Sequence, residues 1–331
     1  MPPEDQRSAL LRASKPPSKE LFSTLITANH ILHNHSVVDA YGHISVRNPQ
    51  NPQTFFLSRS LAPALVSNRE DLEEYRVEDA SPVNEGAPKG YAERFIHSET
   101  YKKYSGVNSV VHAHNEAVLP FSITSVPLRP VFHMGGVMGS QPPVYDISNH
   151  YKSSDDLHSL LVTNSHLGEA LAAGFNPSTI TKTATTMIKN YITSSTSAPP
   201  SIPPNPTLLM RGHGFTCIGT TIQEAVYRSI FVCANARIQT TALLMQQSHN
   251  TSLLADSLAG KEKEGGGRDV RQEGIKYLSE REGRDAWKAN MEHVERPWGL
   301  WSREVRGKGV YVNELEEEDE EGEEEEGEGE E

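Results

Sequence analysis

The sequence predicts an α/β fold whose sheet includes antiparallel strands. Four stretches place apolar residues at helical spacing, and short apolar or alternating runs lie between them. Two alternating runs, 44–47 and 54–58, flank the turn-forming segment 48–52 and predict a hairpin. Both periodicities in one chain of 331 residues are typical of a sheet covered by helices.

The elements are predicted in order from local pattern and punctuation. The apolar positions of residues 19–38 follow helical spacing, which predicts the first helix. After the hairpin we expect, in order, a short helix starting in 67–71, a helix over 93–104, a strand over 110–115, extended runs at 119–123, 131–134 and 144–147, a helix over 157–173, a strand at 208–210 and a long helix over 221–244. Gly174 is placed to end the helix before it, and Glu224 can complete a capping box with Thr220 or Thr221.

Composition divides the chain into a main domain and polar flanking segments. We expect a loose arm at 1–18 and one domain over 19–255, with a surface insertion at 175–206 that holds a short helix near 183–192. A glycine-rich linker at 256–268 leads to a C-terminal docking segment at 269–306, which begins with a charged helix over 269–292. The chain then continues as an acidic disordered tail at 307–331. The docking segment contains Trp287, Trp298 and Trp301, and tryptophans in polar surroundings favour packing against the body or another subunit.

Charge and cysteine content restrict the class of protein. Residues 314–331 hold 14 acidic side chains, so the formal charge of −13 falls to about +1 for the remaining chain. No basic patch with interleaved aromatic residues supports nucleic-acid binding. No apolar run approaches membrane-spanning length, and Cys217 and Cys233 are the only cysteines. We therefore expect a cytoplasmic protein without a disulfide.

The most informative motif is the pair His112 and His114 in the run 110–115. Side chains alternate between the faces of a strand, so both imidazoles point the same way, about 7 Å apart along the backbone. Two neutral imidazoles on one face of a rigid element can form half of a site for a divalent transition metal. A pair of hydrogen-bonded histidines beside a sheet would explain the same motif, so the metal hypothesis requires further ligands.

His213 and Glu93 are the further candidates. Glycine on each side of His213 allows a close backbone approach and positive φ. Glu93 begins a predicted helix, and His97 lies a full turn beyond it, which favours a supporting or core histidine over a fourth ligand. Three histidines leave a coordination position open, as a catalytic metal requires. The pattern does not distinguish Zn, Mn, Fe and Co.

Four motifs follow one another between about residues 20 and 250. They are Asp-x-x-Gly-His-Ile-Ser-Val-Arg at 39–47, Glu93-x-x-x-His97, His112-Ala-His114, and Leu-Met-Arg-Gly-His-Gly at 209–214 before a helix with Glu224-Ala225. In this order they resemble the class II aldolase/adducin family. The segment 58–66 and the sequence Arg296-Pro297-Trp298 are most similar to its aromatic and heteroaromatic acid decarboxylases. Oxygenases of prenylated hydroxyphenylpyruvate are similar too.

The resemblance implies a three-layer α/β/α sandwich around a mixed, largely antiparallel sheet, and a homotetramer with active sites between subunits. It also implies a divalent metal ion held by the residues matching His112, His114 and His213, with Glu93 as acid/base or extra ligand. Sugar-phosphate aldolases of the family have Ser-Ser before this glutamate and Asn in the glycine loop. This chain has Tyr91-Ala92 and His43 there, which argues against a phosphorylated sugar.

Several further residues are candidates for binding a small-molecule substrate. Arg47 and Arg59 could hold a carboxylate, because guanidinium forks match its geometry, although a surface ion pair is the commoner role of such a residue. His43 could contact the substrate, and Ser45 of the same motif is a further candidate.

The predicted function is a divalent-metal-dependent carbon–carbon lyase that acts on a small hydroxylated carboxylic acid, an aromatic acid being one candidate. The metal would act as a Lewis acid that stabilises an enolate, with decarboxylation favoured over retro-aldol cleavage. Glu93 would move the proton. The alternatives are a non-haem iron oxygenase of a hydroxyphenylpyruvate-type substrate and a non-catalytic adducin-like interaction module. A module of that kind has no need of three histidines and a glutamate.

Overall fold

Short alternating runs of the sequence form the strands of one sheet. The computed structural model describes residues 17–152, 157–177, 201–259 and 274–316. Its strands are β1 (His43–Arg47), β2 (Thr54–Ser58), β3 (Leu72–Arg76), β4 (Ser109–Ala113), β5 (Val144–Tyr145), β6 (Thr207–Met210) and β7 (Gly214–Gly219). They lie in the order β3-β2-β1-β4-β7-β6-β5, and among them β5 and β6 pair in parallel while the other neighbours are antiparallel.

Helices cover both faces of this sheet. They are α1 (Lys19–Asn34), α2 (Arg94–Lys103), α3 (Leu119–Ile123), α4 (Ser165–Gly174), α5 (Ile222–Leu258), α6 (Glu280–Met291) and α7 (Glu295–Arg306). One apolar cluster joins α1, α5 and α7 to one face, and a second joins α2 and α4 to the other. This arrangement confirms the three-layer α/β/α sandwich with a mixed, largely antiparallel sheet.

The alternation of side chains decides which face each site candidate occupies. On β4, Val111 and Ala113 pack in the cluster of α1 and α5, whereas Val110 packs in the cluster of α2 and α4. His112 therefore points to the α2 side. On β1, Ile44 packs on the α1 side, so the residues at 43, 45 and 47 share the face of His112.

Several elements differ from the sequence prediction for local reasons. Residues 119–123 form helix α3 rather than an extended run, since Pro120 suits a first helical turn. Residues 131–134 were also expected to be extended, but a 3-10 turn spans His133–Met138. The third predicted run is a strand only at its first two residues, β5.

The helix predicted over 157–173 begins only at Ser165, because the Asn164 side chain caps it by accepting from the Leu167 N–H. Helix α5 continues past 244 to Leu258, because no glycine or proline interrupts it. The charged helix was expected from 269, but α6 begins at Glu280, after a capping box between Ser279 and Glu282.

The C-terminal segment packs on the outer side of α1 and α5. Trp301 is buried, and its ring lies 6.0 Å from that of Tyr227 and 5.1 Å from that of His35. Trp287 and Trp298 pack partly buried against the same core. The docking predicted for these tryptophans is therefore seen within the chain.

Residues 307–316, expected to belong to the disordered tail, also pack on the body. Asn313 donates to Thr27 Oγ1 at 3.0 Å, and the backbone N–H of Glu314 donates to the Ser67 carbonyl. The predicted tail therefore begins no earlier than 317.

Some predictions fall on parts of the chain outside the described residues. These are the arm up to residue 16, the short helix near 183–192, most of the insertion and linker, and the tail from 317 onward. The domain boundaries stay predictions. Over the ranges that are described, no helix has both the length and the apolar character needed to cross a bilayer.

Candidate active site

Three elements bring four predicted residues to one point. His112 lies on β4 and His114 just after it, His213 lies in the turn between β6 and β7, and Glu93 is the residue before α2. Because β4 and β7 are neighbours in the sheet, the end of β4 meets the start of β7. The face of β4 that carries His112 then meets the start of α2.

The nitrogens of the three histidines converge. His114 Nε2 lies 3.1 Å from His112 Nε2 and 3.0 Å from His213 Nε2. Glu93 Oε2 lies 3.5 Å from His112 Nε2 and 3.4 Å from His213 Nε2. One ligand atom from each residue lies within 4.8 Å of every other. We call Glu93, His112, His114 and His213 the four-residue cluster.

Glycines on both sides of His213 allow this approach. Gly212 has φ of 64°, a conformation that other residues rarely adopt. A Cβ at Gly214 would lie 2.0 Å from the Ala113 carbonyl oxygen, so only glycine fits against β4 there.

The donor set fits a divalent transition metal. Three imidazole nitrogens and a carboxylate oxygen are ligands that such ions take in proteins. His112 Nδ1 lies 3.1 Å from the Phe215 carbonyl, and a carbonyl can only accept. The proton of neutral His112 is therefore on Nδ1, and the Nε2 lone pair is directed into the cluster, as coordination requires.

Electrostatics hold His114 and Glu93 in the protonation states that bind metal. Burial lowers the pKa of His114 to about 4, and His112 and His213 add to the shift. Burial alone would raise the pKa of Glu93, but His112 and His213 hold it well below the ordinary range of a glutamate. At neutral pH His114 is therefore neutral and Glu93 is ionised.

The cluster runs from the interior towards solvent. The His112 side chain is fully buried, whereas that of His114 is 23% exposed. Asp39, 58% exposed, places Oδ1 3.7 Å from His114 Nδ1 and accepts from the backbone N–H groups of Tyr41 and Gly42. A small molecule would therefore approach from the side of His114 and Asp39.

The predicted substrate residues His43 and Ser45 lie behind this cluster. His43 is the cross-strand partner of His112, and its ring lies 5.2 Å from the His112 ring. His43 Nδ1 lies 2.7 Å from His97 Nε2, and His97 Nδ1 lies 2.6 Å from Ser45 Oγ. His97 is thus a buried supporting histidine, as expected. Ser45 contacts that histidine and Tyr101 rather than the cluster.

The two predicted carboxylate-binding arginines are engaged elsewhere. The buried Arg47 guanidinium donates to four backbone carbonyls, those of Pro52, Tyr101, Tyr104 and Val107. Arg59 is paired with Asp71 at 2.6 Å and is 44% exposed. The four carbonyls give Arg47 a structural role in the fold, and a substrate role for either arginine stays a prediction.

Three contacts at the site, made by Val162 and Tyr91, were not predicted. The backbone N–H of Val162 donates to Glu93 Oε1 at 2.9 Å. The Tyr91 ring lies 4.6 Å from the His43 ring, and its hydroxyl donates to the Leu61 carbonyl. Tyr91 was identified only as a departure from the phosphate-binding pattern. The contact of Val162 is made by backbone, so no side-chain signal marks it.

Comparison with known proteins places the chain in a family. Residues 23–240 match the model of the class II aldolase and adducin N-terminal domain. The chain belongs to the class II aldolase and adducin family. Decarboxylase tropJ of Talaromyces stipitatus is 44% identical over 290 residues, which cover 88% of this chain and 96% of that protein.

Solved structures of this family share the fold. An aldolase II superfamily protein from Pseudomonas syringae matches with a TM-score of 0.59 and 15% identity, covering 92% of this chain and 99% of that one. L-fuculose 1-phosphate aldolase from Glaciozyma antarctica matches with a TM-score of 0.54 and 18% identity, covering 91% and 98%. These matches confirm the class II aldolase fold predicted from the motifs.

Proposed function

We propose that this protein is a divalent-metal-dependent carbon–carbon lyase that decarboxylates a small hydroxylated carboxylic acid, with aromatic acids as the first class to test. The observation that carries the proposal is the convergence of three Nε2 atoms and one carboxylate oxygen within 4.8 Å. His112, His114 and His213 would hold the ion. When bound, a divalent ion supplies Lewis-acid stabilisation for the negative charge left by carbon–carbon cleavage.

Glu93 is suited to move the proton of this reaction. Val162 occupies Oε1, so Oε2 is the oxygen that faces the cluster. Since Glu93 is ionised at neutral pH, it would accept a proton from a substrate hydroxyl. It would then return that proton to the carbon that has lost CO₂. A carboxylate beside the reacting atoms is sufficient for both transfers.

Two observations support decarboxylation over cleavage of a sugar phosphate. The relative that is 44% identical over nearly its whole length is named a decarboxylase. The positions that hold phosphate in the aldolases of the family carry Tyr91 and His43 here, whose rings pack 4.6 Å apart. Tyr91 already donates its hydroxyl to the Leu61 carbonyl and both rings are buried, so this pair offers a phosphate fewer donors than the small polar side chains of those aldolases.

The family resemblance also supports a homotetramer as part of this proposal. The two free cysteines, Cys217 and Cys233, support a reducing, cytoplasmic location. A neighbouring subunit would cover the open side of the cluster, near His114 and Asp39. Mass photometry of the purified protein would test the assembly, and a monomer would contradict it.

The proposal is tested by metal removal and a substrate panel. Protein treated with chelator is reloaded separately with Zn²⁺, Mn²⁺, Fe²⁺ and Co²⁺, and bound metal is measured by elemental analysis. CO₂ release is then followed with 2-hydroxybenzoate, 2,3-dihydroxybenzoate and 3,4-dihydroxybenzoate. The expected result is about one ion per chain and CO₂ release that depends on it.

Other outcomes would overturn the proposal in distinguishable ways. Equal CO₂ release with and without metal would remove the metal from the mechanism. Consumption of O₂ only in the Fe²⁺ form would indicate the oxygenase. Failure to bind any of the four ions would favour the adducin-like interaction module.

A further inference from the structure

A short loop, residues 158–162, contacts two of the segments that carry the four-residue cluster. The backbone N–H of Val162 donates to Glu93 Oε1 at 2.9 Å. Leu160 lies against the turn between β6 and β7, since its Cδ1 is 3.5 Å from the position that a Cβ at Gly212 would take. We call residues 158–162 the active-site loop. Two residues of this loop therefore reach the proton-moving carboxylate and the metal-binding turn.

Leu160 has a backbone conformation that leucine rarely adopts. Its φ is 66°, in the left-handed region. In the part of the chain that the structure describes, Ser36 and Ala80 are the only other non-glycine residues with a positive φ. The chain bends at 159–160. A bulky residue in this region is held there by its surroundings, and such residues occur preferentially at functional sites.

Tyr151 supplies contacts that hold the active-site loop in this shape. Its hydroxyl accepts from the backbone N–H of Leu160 at 3.2 Å. Its ring is stacked on that of His158, with centroids 4.0 Å apart and an interplanar angle of 10°. Tyr151 thus holds the chain before the bend, and the Asn164 side chain, which caps α4, holds it after the bend. Because both ends are held, φ of Leu160 decides where the N–H two residues later points.

We propose that Tyr151 and Leu160 are positioning residues for Glu93. The left-handed turn at Leu160, held by the Tyr151 hydroxyl, keeps the N–H of Val162 on Glu93 Oε1. Oε2 is then left to face the metal-binding histidines. The catalytic part of this inference rests on the function proposed above. Tyr151 and Leu160 act through Val162 and are assigned no contact with the substrate.

The buried side chain of Val162 offers a competing explanation. It is fully buried and packs in the apolar cluster of α2 and α4. If this packing alone placed the N–H, removal of the Tyr151 hydroxyl would leave the bond to Glu93 intact. Tyr151→Phe decides between the two explanations, because it keeps the ring on His158 and removes only the acceptor of Leu160.

Hydrogen exchange measures the placement of this N–H in metal-free protein. Within the active-site loop, the N–H groups that donate to another described residue are those of Leu160 and Val162. Mass spectrometry of the peptide that covers the loop counts the protected amides. In Tyr151→Phe both amides should exchange faster, each by about fivefold, the worth of one typical hydrogen bond. Faster exchange of Leu160 alone, or of neither amide, would overturn the proposal.

Two further variants calibrate the exchange measurement. Glu93→Ala removes the acceptor of Val162, so it should release that one amide and identify its signal. Tyr145→Phe is the matched control, since it removes another tyrosine hydroxyl of the same apolar layer, one that donates to the Leu167 carbonyl. It should leave exchange in the active-site loop unchanged. An increase in Tyr145→Phe equal to that in Tyr151→Phe would show general loosening of this layer and contradict the proposal.

Turnover tests the positioning role. With CO₂ release from an acid of the panel, Tyr151→Phe should lower kcat by about fivefold to tenfold, leave KM unchanged and bind as much metal as the wild-type protein. This combination is expected when an interaction made at the transition state is weakened. An unchanged kcat would remove the catalytic role. A loss of bound metal equal to the loss of kcat would show that Tyr151 acts on the fold and not on Glu93.

A pair of substitutions at Leu160 tests the left-handed turn itself. Leu160→Asn and Leu160→Val both shorten the side chain, so they share the loss of the contact with Gly212. Asparagine tolerates the left-handed region, whereas β-branched valine does not. Exchange of the Val162 N–H and kcat should therefore change little in Leu160→Asn and change as in Tyr151→Phe in Leu160→Val. Equal effects of the two substitutions would contradict a role of the turn.

The inference and the proposed function can fail separately. If no acid of the panel releases CO₂, the proposed function fails, while hydrogen exchange of metal-free protein still decides whether Tyr151 places the N–H of Val162. If CO₂ is released and Tyr151→Phe leaves that N–H protected, the proposed function stands and the positioning role fails.

Discussion

The backbone N–H of Val162 donates to Glu93 Oε1 at 2.9 Å, which fixes the orientation of a buried carboxylate. The other oxygen, Oε2, then faces His112 and His213. Glutamine at position 93 can keep the bond from Val162 but cannot accept a proton. The contact therefore suggests a variant that separates proton transfer from metal binding.

Glu93→Gln should keep its metal and lose turnover. Removal of a general acid or base lowers rates by about 10²–10⁴, and we expect that range for CO₂ release from any acid of the panel. Bound metal measured by elemental analysis should stay near the wild-type value. A parallel loss of metal would instead identify Glu93 as a ligand.

His213→Ala should abolish tight metal binding. It removes one of three converging nitrogens. Loss of a residue that only hydrogen-bonds to a metal-binding side chain lowers metal affinity roughly 10–100-fold, so the loss of a metal-binding nitrogen should lower it further. Competition with a chromogenic chelator measures this affinity. His249→Ala, at an exposed position of α5, is the control and should bind as wild type does.

The two glycines beside His213 should respond differently to alanine. In Gly212→Ala the new Cβ has space, since the nearest atom is 3.5 Å away. The positive φ of residue 212 alone should then lower the free energy of unfolding, by about 1 kcal/mol. In Gly214→Ala the Cβ would meet the Ala113 carbonyl at 2.0 Å, so β7 must move from β4. Metal affinity should fall in Gly214→Ala and stay close to wild type in Gly212→Ala. The reverse order would contradict the close approach.

Trp301→Ala should destabilise the fold although the residue lies near the end of the described chain. Its buried ring packs against Tyr227 and Phe231, and truncation of such a side chain costs about 3 kcal/mol. Urea unfolding measures the change. Leu300→Ala, 57% exposed on the same helix, should change the free energy of unfolding by less than about 0.5 kcal/mol.

His30 should make stability depend on pH. Burial lowers its pKa from 6.5 to about 4, while its Nε2 donates to the Val66 carbonyl. Between these values the unfolded chain binds a proton that the folded chain does not, so stability falls as the pH falls through 6.5 towards 4. From pH 7.5 to pH 5 this histidine should contribute a loss of about 2 kcal/mol.

His30→Gln is the variant that isolates this loss. Urea unfolding gives the free energy of unfolding at pH 7.5 and at pH 5. This free energy should decrease less between the two pH values for His30→Gln than for the wild-type protein, and the difference between the two decreases is the contribution of His30. Equal decreases would show that His30 titrates alike in the folded and unfolded chains. The comparison removes the effects of other buried histidines, which are common to both proteins.

The parts of the site that the sequence predicts are those with short-range signals. Alternation on one strand places His112 and His114 together, and glycines mark the turn of His213. The hairpin 44–58 follows from its turn residues. Each of these depends on neighbours in the chain, which a single sequence contains.

The contacts made by the other candidate residues were not predicted, because they depend on contacts between distant segments. Ser45 and His43 face α2 only because β1 pairs with β4, and the sequence does not state that pairing. From the sequence, Arg47 is a candidate for binding a carboxylate. In the fold its guanidinium donates instead to backbone carbonyls, among them that of Val107. Val162 reaches Glu93 through its backbone, which carries no residue-specific signal.

The bond from His112 Nδ1 to the Phe215 carbonyl crosses from β4 to β7, and it makes the alignment of these strands a part of the site. One residue inserted between Asn108 and His112 would leave all four cluster residues in the sequence. It would nevertheless turn His112 to the opposite face of the sheet, towards the apolar layer of α1 and α5. The length of this strand is therefore as strict a requirement as the identity of the histidines.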